Sequence, residues 1–300
     1  MDDLTTQYEQ AYLSLDPSAQ IHSAEIFEQG LYYLAEGRQS GTPFTFEPRL
    51  AFRMKEVTIW GAQNGNGKSL LTGQVALQLI RKNENVLIMS FEMSPERTLF
   101  RMLRQSTPHK PGINDVAPFL RGIKNKMFLL NYSGEIKTSI VFGACIVAAN
   151  KFKCRHIFID NLMKCVHGED DYNSQKAFIQ SCCDLARYLK VHIHVVHHVR
   201  KGQKEEDEID KFSFKGSSSI IDQADNAILL QRNRRKEKAR DENNLTPIMD
   251  AEEADTIMRI VKQRNGDFEG VVPLWFDPKT TAFCKDAGRV PLWDIGEVTK

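Results

Sequence analysis

Residues 61–69 have the composition and spacing of a phosphate-binding loop. They read Gly-Ala-Gln-Asn-Gly-Asn-Gly-Lys-Ser, with an apolar run before them and a helical pattern after them. In that setting, backbone N–H groups of the loop and of the helix N-terminus cradle β- and γ-phosphates. Gly65 and Gly67 permit the tight turn, although Ala62 stands where the strict pattern has glycine. We therefore expect ATP, or another nucleoside triphosphate, to be bound by Ala62, Gln63, Asn64, Gly65, Asn66, Gly67, Lys68 and Ser69.

Two of these side chains carry specific chemistry, and a third acidic residue completes the set. Lys68 supplies a positive charge for the phosphates, and Ser69 is placed to hold Mg²⁺. Asp160 ends the apolar run Ile157-Phe158-Ile159, downstream of the loop. A carboxylate at the carboxyl end of a buried strand points into the crevice where nucleotides bind. We expect Ser69 and Asp160 to hold the metal ion.

The group that activates the attacking water is less evident from the residues. Asn161, rather than a glutamate, follows Asp160. Glu92 comes directly after the apolar run 86–91, and an adjacent parallel strand would bring it beside the γ-phosphate as a general base. It equally fits a surface glutamate at the start of a helix near Pro95, where acidic residues are favoured. The residues alone leave both readings open.

The elements that must position these side chains alternate along the chain from residue 50. Short apolar runs are separated by longer helical patterns, such as 69–82 and 176–189. That alternation predicts an α/β fold, a mostly parallel sheet covered by helices. Near the end, Asn265-Gly266-Asp267 between two strand-like runs predicts a β-hairpin. The apolar runs are 57–60, 86–89, 127–130, 157–159, 193–196 and 227–230, and the hairpin strands are 259–262 and 271–276.

Residues 1–47 form a separate lead-in before the domain at 48–300. An amphipathic helical rhythm runs through much of the segment, and glycines, serine and prolines at 37–48 indicate a linker. So short a segment cannot bury a core of its own. We expect it to dock on this domain or on a neighbouring subunit.

Composition sets limits on partners and location. The 300 residues carry a net charge of +1, so any contact with a polyanion must come from local patches. The basic runs 200–204 and 232–240 are the candidates, and solvated loop charge is the simpler reading of each. The chain shows neither a signal peptide nor a membrane span. Six scattered cysteines without a CxxC pair predict reduced core residues rather than a zinc site, in a cytoplasmic protein.

At these motifs the sequence resembles the group of DnaB, Twinkle and phage primase-helicases, over about residues 50–285. The block Ser-Phe-Glu-Met-Ser at 90–94 is similar to the segment that carries the family's catalytic glutamate, which favours Glu92 as the base. The resemblance implies that Asp160 lies on the Walker B strand. It also implies a γ-phosphate sensor at the end of the strand 193–198, which matches His198, with His197 second.

Two further segments resemble the family. Residues 215–226 match the element whose flanking loops line a central channel and touch DNA phosphates, which implies DNA contacts at Arg200, Lys201, Lys204 and Lys215. Residues 262–266 read Lys-Gln-Arg-Asn-Gly, an element whose Lys and Arg act on the nucleotide of the adjacent subunit. The resemblance thus assigns Lys262 and Arg264 to catalysis in trans. We add Phe276, on the same hairpin, to the residues expected to contact the nucleotide.

The resemblance implies a RecA-like P-loop motor of a replicative DNA helicase. Such a motor forms a homo-oligomeric ring, expected to be a hexamer, and couples ATP hydrolysis to translocation on single-stranded DNA. A separate primase and a loader are expected partners, since no primase-like region is evident. The acidic run 205–210 departs from a DNA-binding loop. The alternative is a RecA- or RadA-like DNA-dependent ATPase that acts in recombination or as an ATP-switched loading platform.

Overall fold

The computed structural model describes residues 24–35, 40–132, 134–166, 171–199 and 218–291. The chain divides into two compact units, Met1–Ser40 and Gly41–Lys300. In the first unit, a short 3-10 turn (Ala24–Phe27) leads into helix α1 (Glu28–Ala35). Leu31 and Tyr32 of α1 expose most of their surface. These two residues give α1 an apolar surface that faces solvent.

The second unit is built on one large sheet. Its described strands run in the order β11-β10-β9-β8-β3-β7-β6-β4-β5, with β8 to β5 parallel and β9 to β11 antiparallel. A separate ribbon pairs β1 with β2. The strands are β1 (Thr42–Pro43), β2 (Ala51–Phe52), β3 (Val57–Ala62), β4 (Asn85–Ser90), β5 (Met127–Leu129), β6 (Cys154–Asp160), β7 (His192–His198), β8 (Asn226–Arg232), β9 (Thr256–Gln263), β10 (Gly270–Asp277) and β11 (Ala282–Cys284).

Helices connect the parallel strands and cover both faces of the sheet. They are α2 (Lys68–Arg81), α3 (Pro95–Gln105), α4 (Ile113–Ile123), α5 (Thr138–Phe152), α6 (Tyr172–Leu189), α7 (Ser218–Gln223), α8 (Arg234–Asp241) and α9 (Pro247–Glu252). Local chemistry sets their starts. Ser94 accepts a hydrogen bond from the backbone N–H of Arg97 and Pro95 occupies the first turn of α3, while Asp171 caps α6 through the N–H of Ser174.

The core lies in two layers, one on each face of the sheet. Because side chains alternate along a strand, Trp60 of β3 packs on one face with α2 to α4, and Ile59 packs on the other with α5 to α7. Every residue of β3 is buried. Burial on both faces is typical of parallel strands, which read as continuous apolar runs.

The structure confirms the predicted sheet and hairpin, and it differs at two places. All six apolar runs are parallel strands, and β9 and β10 form the hairpin. The expected linker at 37–48 is partly core, because Phe44 is fully buried and its ring centroid lies 5.5 Å from that of Phe52. The reading of 232–240 as a solvated loop is wrong. Residues 234–241 form α8, and Lys236 is fully buried.

Two predictions about cysteines and membranes can be compared with the described residues. All six cysteines are buried and free, and none forms a disulfide. Among the described helices, none combines the length and apolar character that crossing a bilayer would require. In that same part of the chain, His, Cys, Asp and Glu side chains do not gather into a metal-binding group of three or more.

Candidate active site

The phosphate-binding loop lies between β3 and α2, at the carboxyl ends of the parallel strands. Gly65 and Gly67 have φ angles of +79° and +87°, a backbone region that L side chains rarely adopt. At Gly67 a Cβ would also lie only 2.8 Å from the ring of Phe283. Both glycines are therefore required by the path of the loop.

That cleft has a volume of about 490 Å³ and gathers most of the predicted chemistry. The strand order brings the ends of β6 and β7 beside the loop, with β4 one strand further on. The lining residues that the sequence predicted are Asn64, Gly65, Gly67, Lys68, Ser69, Glu92, Asp160 and His198. Ala62, Gln63 and Asn66 belong to the same loop without lining the cleft.

The side chain of Lys68 is hydrogen-bonded to the backbone of the phosphate-binding loop. Its Nζ donates to the carbonyl oxygens of Ala62 at 2.7 Å and of Gln63 at 3.1 Å. Burial lowers the pKa of Lys68 to about 8, against the opposing charges of Asp160 and Glu92. The ammonium is thus fixed at the mouth of the loop, where it would meet a phosphate.

Asp160 and Ser69 form an oxygen pair suited to a magnesium ion. Asp160 ends β6 and is buried, which raises its pKa, while a hydrogen bond from Ser69 acts in the opposite direction. Carboxylate and hydroxyl oxygens are ligands that Mg²⁺ accepts alongside water and phosphate oxygens. The donor set therefore fits the expected metal.

Glu92 and His198 meet through a residue that the sequence did not single out as functional. The Nδ2 of Asn161 donates to Oε1 of Glu92 at 2.6 Å and lies 3.0 Å from Nε2 of His198. On the other side of the ring, His198 Nδ1 lies 3.2 Å from Nζ of Lys68. Glu92 is thus at the cleft and not an isolated surface glutamate.

Helix α3 contributes residues that sequence reasoning missed. Phe100, Arg101 and Arg104 line the cleft, and the charge of Arg101 is a minor influence against the rise in the pKa of Asp160 that burial causes. Arg104 also donates to the carbonyl oxygens of Pro278 and Lys279, so it ties α3 to the turn before β11. Arg101 and Arg104 are three residues apart and share a helix face. In the sequence, two arginines at that spacing are typical of a solvent-exposed helix face, so they gave no signal of a site.

Phe276 lies in a second groove, of about 230 Å³, on the other side of the same loop. Gly65, Gly67 and Arg232 also line this groove, and the ring centroid of Phe276 lies 5.6 Å from that of Phe283. The backbone N–H of Phe276 donates to Asp255, which holds the strand in place. Phe276 is therefore next to the loop but outside the cleft that contains Glu92.

Lys262 and Arg264 lie far from the cleft of their own chain. Arg264 pairs with Asp225 at 2.9 Å, and Lys262 donates to the carbonyl oxygens of Ile221 and Asp222 at the end of α7. Burial, first among several causes, lowers the pKa of Lys262. Asp225 in turn accepts from the backbone N–H of Val57, the first residue of β3. Both cations are thus at the opposite edge of the sheet from the loop.

The remaining predicted site lies outside the described residues. Arg200, Lys201, Lys204 and Lys215, expected to contact DNA, all fall in the range 200–217. The alternative basic run at 232–240 is neutralised. Arg232 pairs with Glu237, Arg235 with Glu253, and Lys236 with both Asp250 and Asp255.

A glycine-rich loop between strand and helix, with a carboxylate at the end of a nearby parallel strand, defines a P-loop nucleotide-binding protein of RecA-like fold. The chain belongs to the family of the DnaB-like helicase C-terminal domain, whose pattern matches residues 50–285.

Two solved structures are similar to this chain. A DnaB-like replicative helicase, described with its interactions with primase, has a TM-score of 0.67 and 14% identity over 88% of this chain and 67% of its own. An ATPase domain has a TM-score of 0.70 and 15% identity over 89% of this chain and 99% of its own. At such identities the likeness is one of fold.

Proposed function

We propose that this chain is the motor of a ring-forming replicative DNA helicase. It would couple ATP hydrolysis to translocation on single-stranded DNA and to duplex unwinding. The observation that carries the proposal is the convergence of Lys68, Asp160, Glu92 and His198 on one cleft in a chain of the DnaB-like family. That set would bind a phosphate and a metal ion beside a water-activating carboxylate.

Each residue in the cleft has a distinct task. Lys68 neutralises the β- and γ-phosphates, and the backbone of residues 62–67 surrounds them. Ser69 and Asp160 would hold Mg²⁺, which would offset the charge that develops on the transferred phosphoryl group. Glu92 takes a proton from the attacking water, and His198 contacts the γ-phosphate.

We infer that a second subunit completes the site. An arginine that stabilises charge in the transition state is a recurrent part of such motors. Arg264 cannot supply it to its own cleft, because it is anchored at the start of β3. Lys262 and Arg264 would act on the nucleotide of the neighbouring subunit, which makes hydrolysis depend on the ring. A hexamer is the assembly that we propose.

The aromatic groove beside the loop suits the base of the nucleotide. Phe276 offers an apolar face and Arg232 a planar guanidinium, and both can stack on a heterocycle. The groove borders Gly65 and Gly67, so a phosphate chain in the cleft and a base in the groove fit one ligand.

DNA and protein partners follow from the same proposal. Arg200, Lys201, Lys204 and Lys215 would contact the phosphates of single-stranded DNA. Because one structural relative is described with primase, a separate primase is a proposed partner, along with a loader. A RecA- or RadA-like ATPase without processive unwinding is the second candidate, supported by the shared P-loop architecture.

A strand-displacement assay on a forked duplex tests the proposal. The wild-type chain should separate the strands only with ATP and Mg²⁺, and light scattering should show an oligomer. Lys68→Ala is the matched control, because it removes a charge from the cleft while leaving the core untouched. DNA-stimulated hydrolysis without displacement would favour the RecA-like alternative. Near-normal hydrolysis by Lys68→Ala would refute the assignment of the cleft.

A further inference from the structure

Asn161 lies between two residues that line the cleft, Glu92 and His198. It follows Asp160 at the end of β6 and is 1% exposed. Its side-chain nitrogen is 2.6 Å from Oε1 of Glu92 and 3.0 Å from Nε2 of His198. Lys68 Nζ lies 3.2 Å from the other nitrogen of that ring. Four side chains thus form a continuous row of close polar contacts from the phosphate-binding lysine to the glutamate.

A separate contact fixes which way the amide of Asn161 points. Its Oδ1 accepts from the backbone N–H of Lys164 at 3.2 Å, which caps the 3-10 turn Leu162–Lys164. The oxygen is therefore directed at the turn, and the NH₂ group is directed at Glu92 and His198. An amide NH₂ has two hydrogens, one for each neighbour.

We propose that Asn161 is a positioning residue that holds the water-activating carboxylate of Glu92 and the ring of His198 in one fixed arrangement. The inference rests on the proposed function, in which Glu92 and His198 serve hydrolysis. Asn161 itself need not touch the nucleotide.

The first consequence concerns the carboxylate. Glu92 has a flexible side chain that is about half exposed, so without a partner it would sample many rotamers. The hydrogen bond to Oε1 restrains it and leaves Oε2 to accept a proton from water. A displacement of about 1 Å at such a group can cost roughly 10²-fold in rate.

The second consequence concerns the histidine. A neutral imidazole donates from one nitrogen and accepts at the other, and the partner of one nitrogen decides the tautomer. Donation from Asn161 to Nε2 leaves the proton on Nδ1, the nitrogen beside Lys68. Two donors 3.2 Å apart, Nδ1–H and the ammonium, suit an anionic oxygen that accepts from both. Asn161 thereby turns His198 into a donor on the phosphate side.

Two substitutions separate this role from the cap of the 3-10 turn. Asn161→Asp keeps an oxygen for the N–H of Lys164 but has no N–H for Glu92 or His198. Asn161→Ala removes both functions without adding charge. Asn85→Ala is the control, since it deletes a partly buried hydrogen bond from a side-chain amide to the carbonyl oxygen of Phe152, at the far end of the neighbouring strand β4.

The assay measures kcat for DNA-stimulated ATP hydrolysis and, separately, the Kd for a fluorescent ATP analogue. Both Asn161 variants should lose about 10²-fold in kcat, with the Kd within a few-fold of wild type. Asn85→Ala should keep the wild-type kcat. The double variant Asn161→Ala with His198→Ala should be no slower than the worse single variant, because both act through one row of contacts.

A wild-type kcat in Asn161→Asp would overturn the inference. A weakening of ATP-analogue binding by the same factor as the fall in kcat would also overturn it. Additive losses in the double variant would also overturn it. The proposed function fails separately. If Lys68→Ala hydrolyses ATP at the wild-type rate, the cleft is not the active site. If Lys68→Ala is inactive while both Asn161 variants turn over normally, only the role of Asn161 is lost.

Discussion

Arg264 and Asp225 form an ion pair within one subunit, with Nη1 of the arginine 2.9 Å from Oδ1 of the carboxylate. The backbone N–H of Arg264 also donates to the carbonyl oxygen of Asp225. Asp225 accepts a hydrogen bond from the backbone N–H of Val57, where β3 starts. The P-loop, in contrast, follows Ala62, where β3 ends. The six extended residues of β3 place the two ends of this strand about 17 Å apart. Arg264 is thus held out of reach of the nucleotide of its own chain.

A mixing experiment tests the trans role of Arg264. Arg264→Ala should bind ATP normally and hydrolyse it up to about 10³–10⁵-fold more slowly, as other arginine fingers do. Lys68→Ala should also be inactive. In mixed rings, some interfaces pair an intact P-loop with an intact Arg264, so ATPase activity should return on mixing.

Subunit exchange must be demonstrated in that experiment, for example by energy transfer between labelled subunits. If common rings form and no activity returns, Arg264 acts within its own chain or only structurally. Asp225→Asn is a useful companion, because it weakens the anchor of Arg264 and leaves the cleft unchanged.

The glutamate can be tested by an isosteric change. Glu92→Gln should bind ATP with wild-type affinity and hydrolyse it about 10²–10⁴-fold more slowly, the usual contribution of a general base. The amide oxygen of glutamine can still accept from Asn161, so the local geometry is retained. Phosphate release and nucleotide titration on the same preparation give both values. Normal turnover would mean that another group activates the water.

The first unit should serve assembly. Removing residues 1–40 deletes α1, with its exposed Leu31 and Tyr32, and keeps the core that includes Phe44. We expect smaller oligomers by light scattering and unchanged ATP binding. The double variant Leu31→Ser with Tyr32→Ser should reproduce part of the effect. An unchanged oligomer size in the truncated chain would contradict a role of the first unit in holding subunits together.

DNA binding should depend on residues 200–217. Reversing the charges of Lys201 and Lys215 should weaken binding of single-stranded DNA and reduce DNA-stimulated hydrolysis together. Loss of two phosphate contacts should reduce the slope of log K against log salt by about 1.4. Lys238→Glu, in the exposed part of α8, is the matched control. If only Lys238→Glu weakens DNA binding, the DNA contact lies on α8 and not on residues 200–217.

Buried histidines should make the fold sensitive to acid. Burial lowers the pKa of His192 to about 4, with His156, His194 and Arg53 nearby. Because the unfolded ring titrates near its ordinary pKa of about 6.5, the unfolded state binds the extra proton between those values. The free energy of unfolding should therefore fall as pH drops from about 6.5 to about 4, by roughly 3 kcal/mol for His192 alone.

Urea unfolding at pH 7, 6, 5 and 4 gives that dependence directly. In His192→Asn the free energy of unfolding should fall less steeply across this pH range, because the substitution removes one titrating group. Asparagine keeps polar atoms for Thr58 and Arg53. Equal slopes in wild type and His192→Asn would contradict the prediction.

Local features of the molecule were predictable from sequence, because local residues determine them. The P-loop is one uninterrupted segment whose glycines are required by its own backbone path. The strands of the parallel sheet are buried on both faces, so each reads as a short apolar run. The turn at Asn265-Gly266 favours the hairpin of β9 and β10. Resemblance of motifs then supplied roles for Glu92, His198 and Arg264.

Other features depend on residues that are distant along the chain. Lys236 reads as one charge in a basic run, yet Asp250 and Asp255 come 14 and 19 residues later and make its burial possible. Arg101 and Arg104 are unremarkable helix positions until α3 packs beside the P-loop. Burial of a charge requires a partner in space, and spacing along the sequence does not report that partner.

The sequence by itself determined which residues form the P-loop and which runs become strands, since both depend on neighbours within a few positions. Only the tertiary structure decided that Asn161 joins Glu92 to His198 and that Arg264 lies at the opposite edge of the sheet from its own P-loop. The first relationship follows from the strand order, in which β7 and β6 lie between β3 and β4. The second follows from the antiparallel pairing of β9 with β8, which places the end of β9 beside the start of β8. The strand order is set by packing of the two core layers, a long-range property that no local pattern encodes.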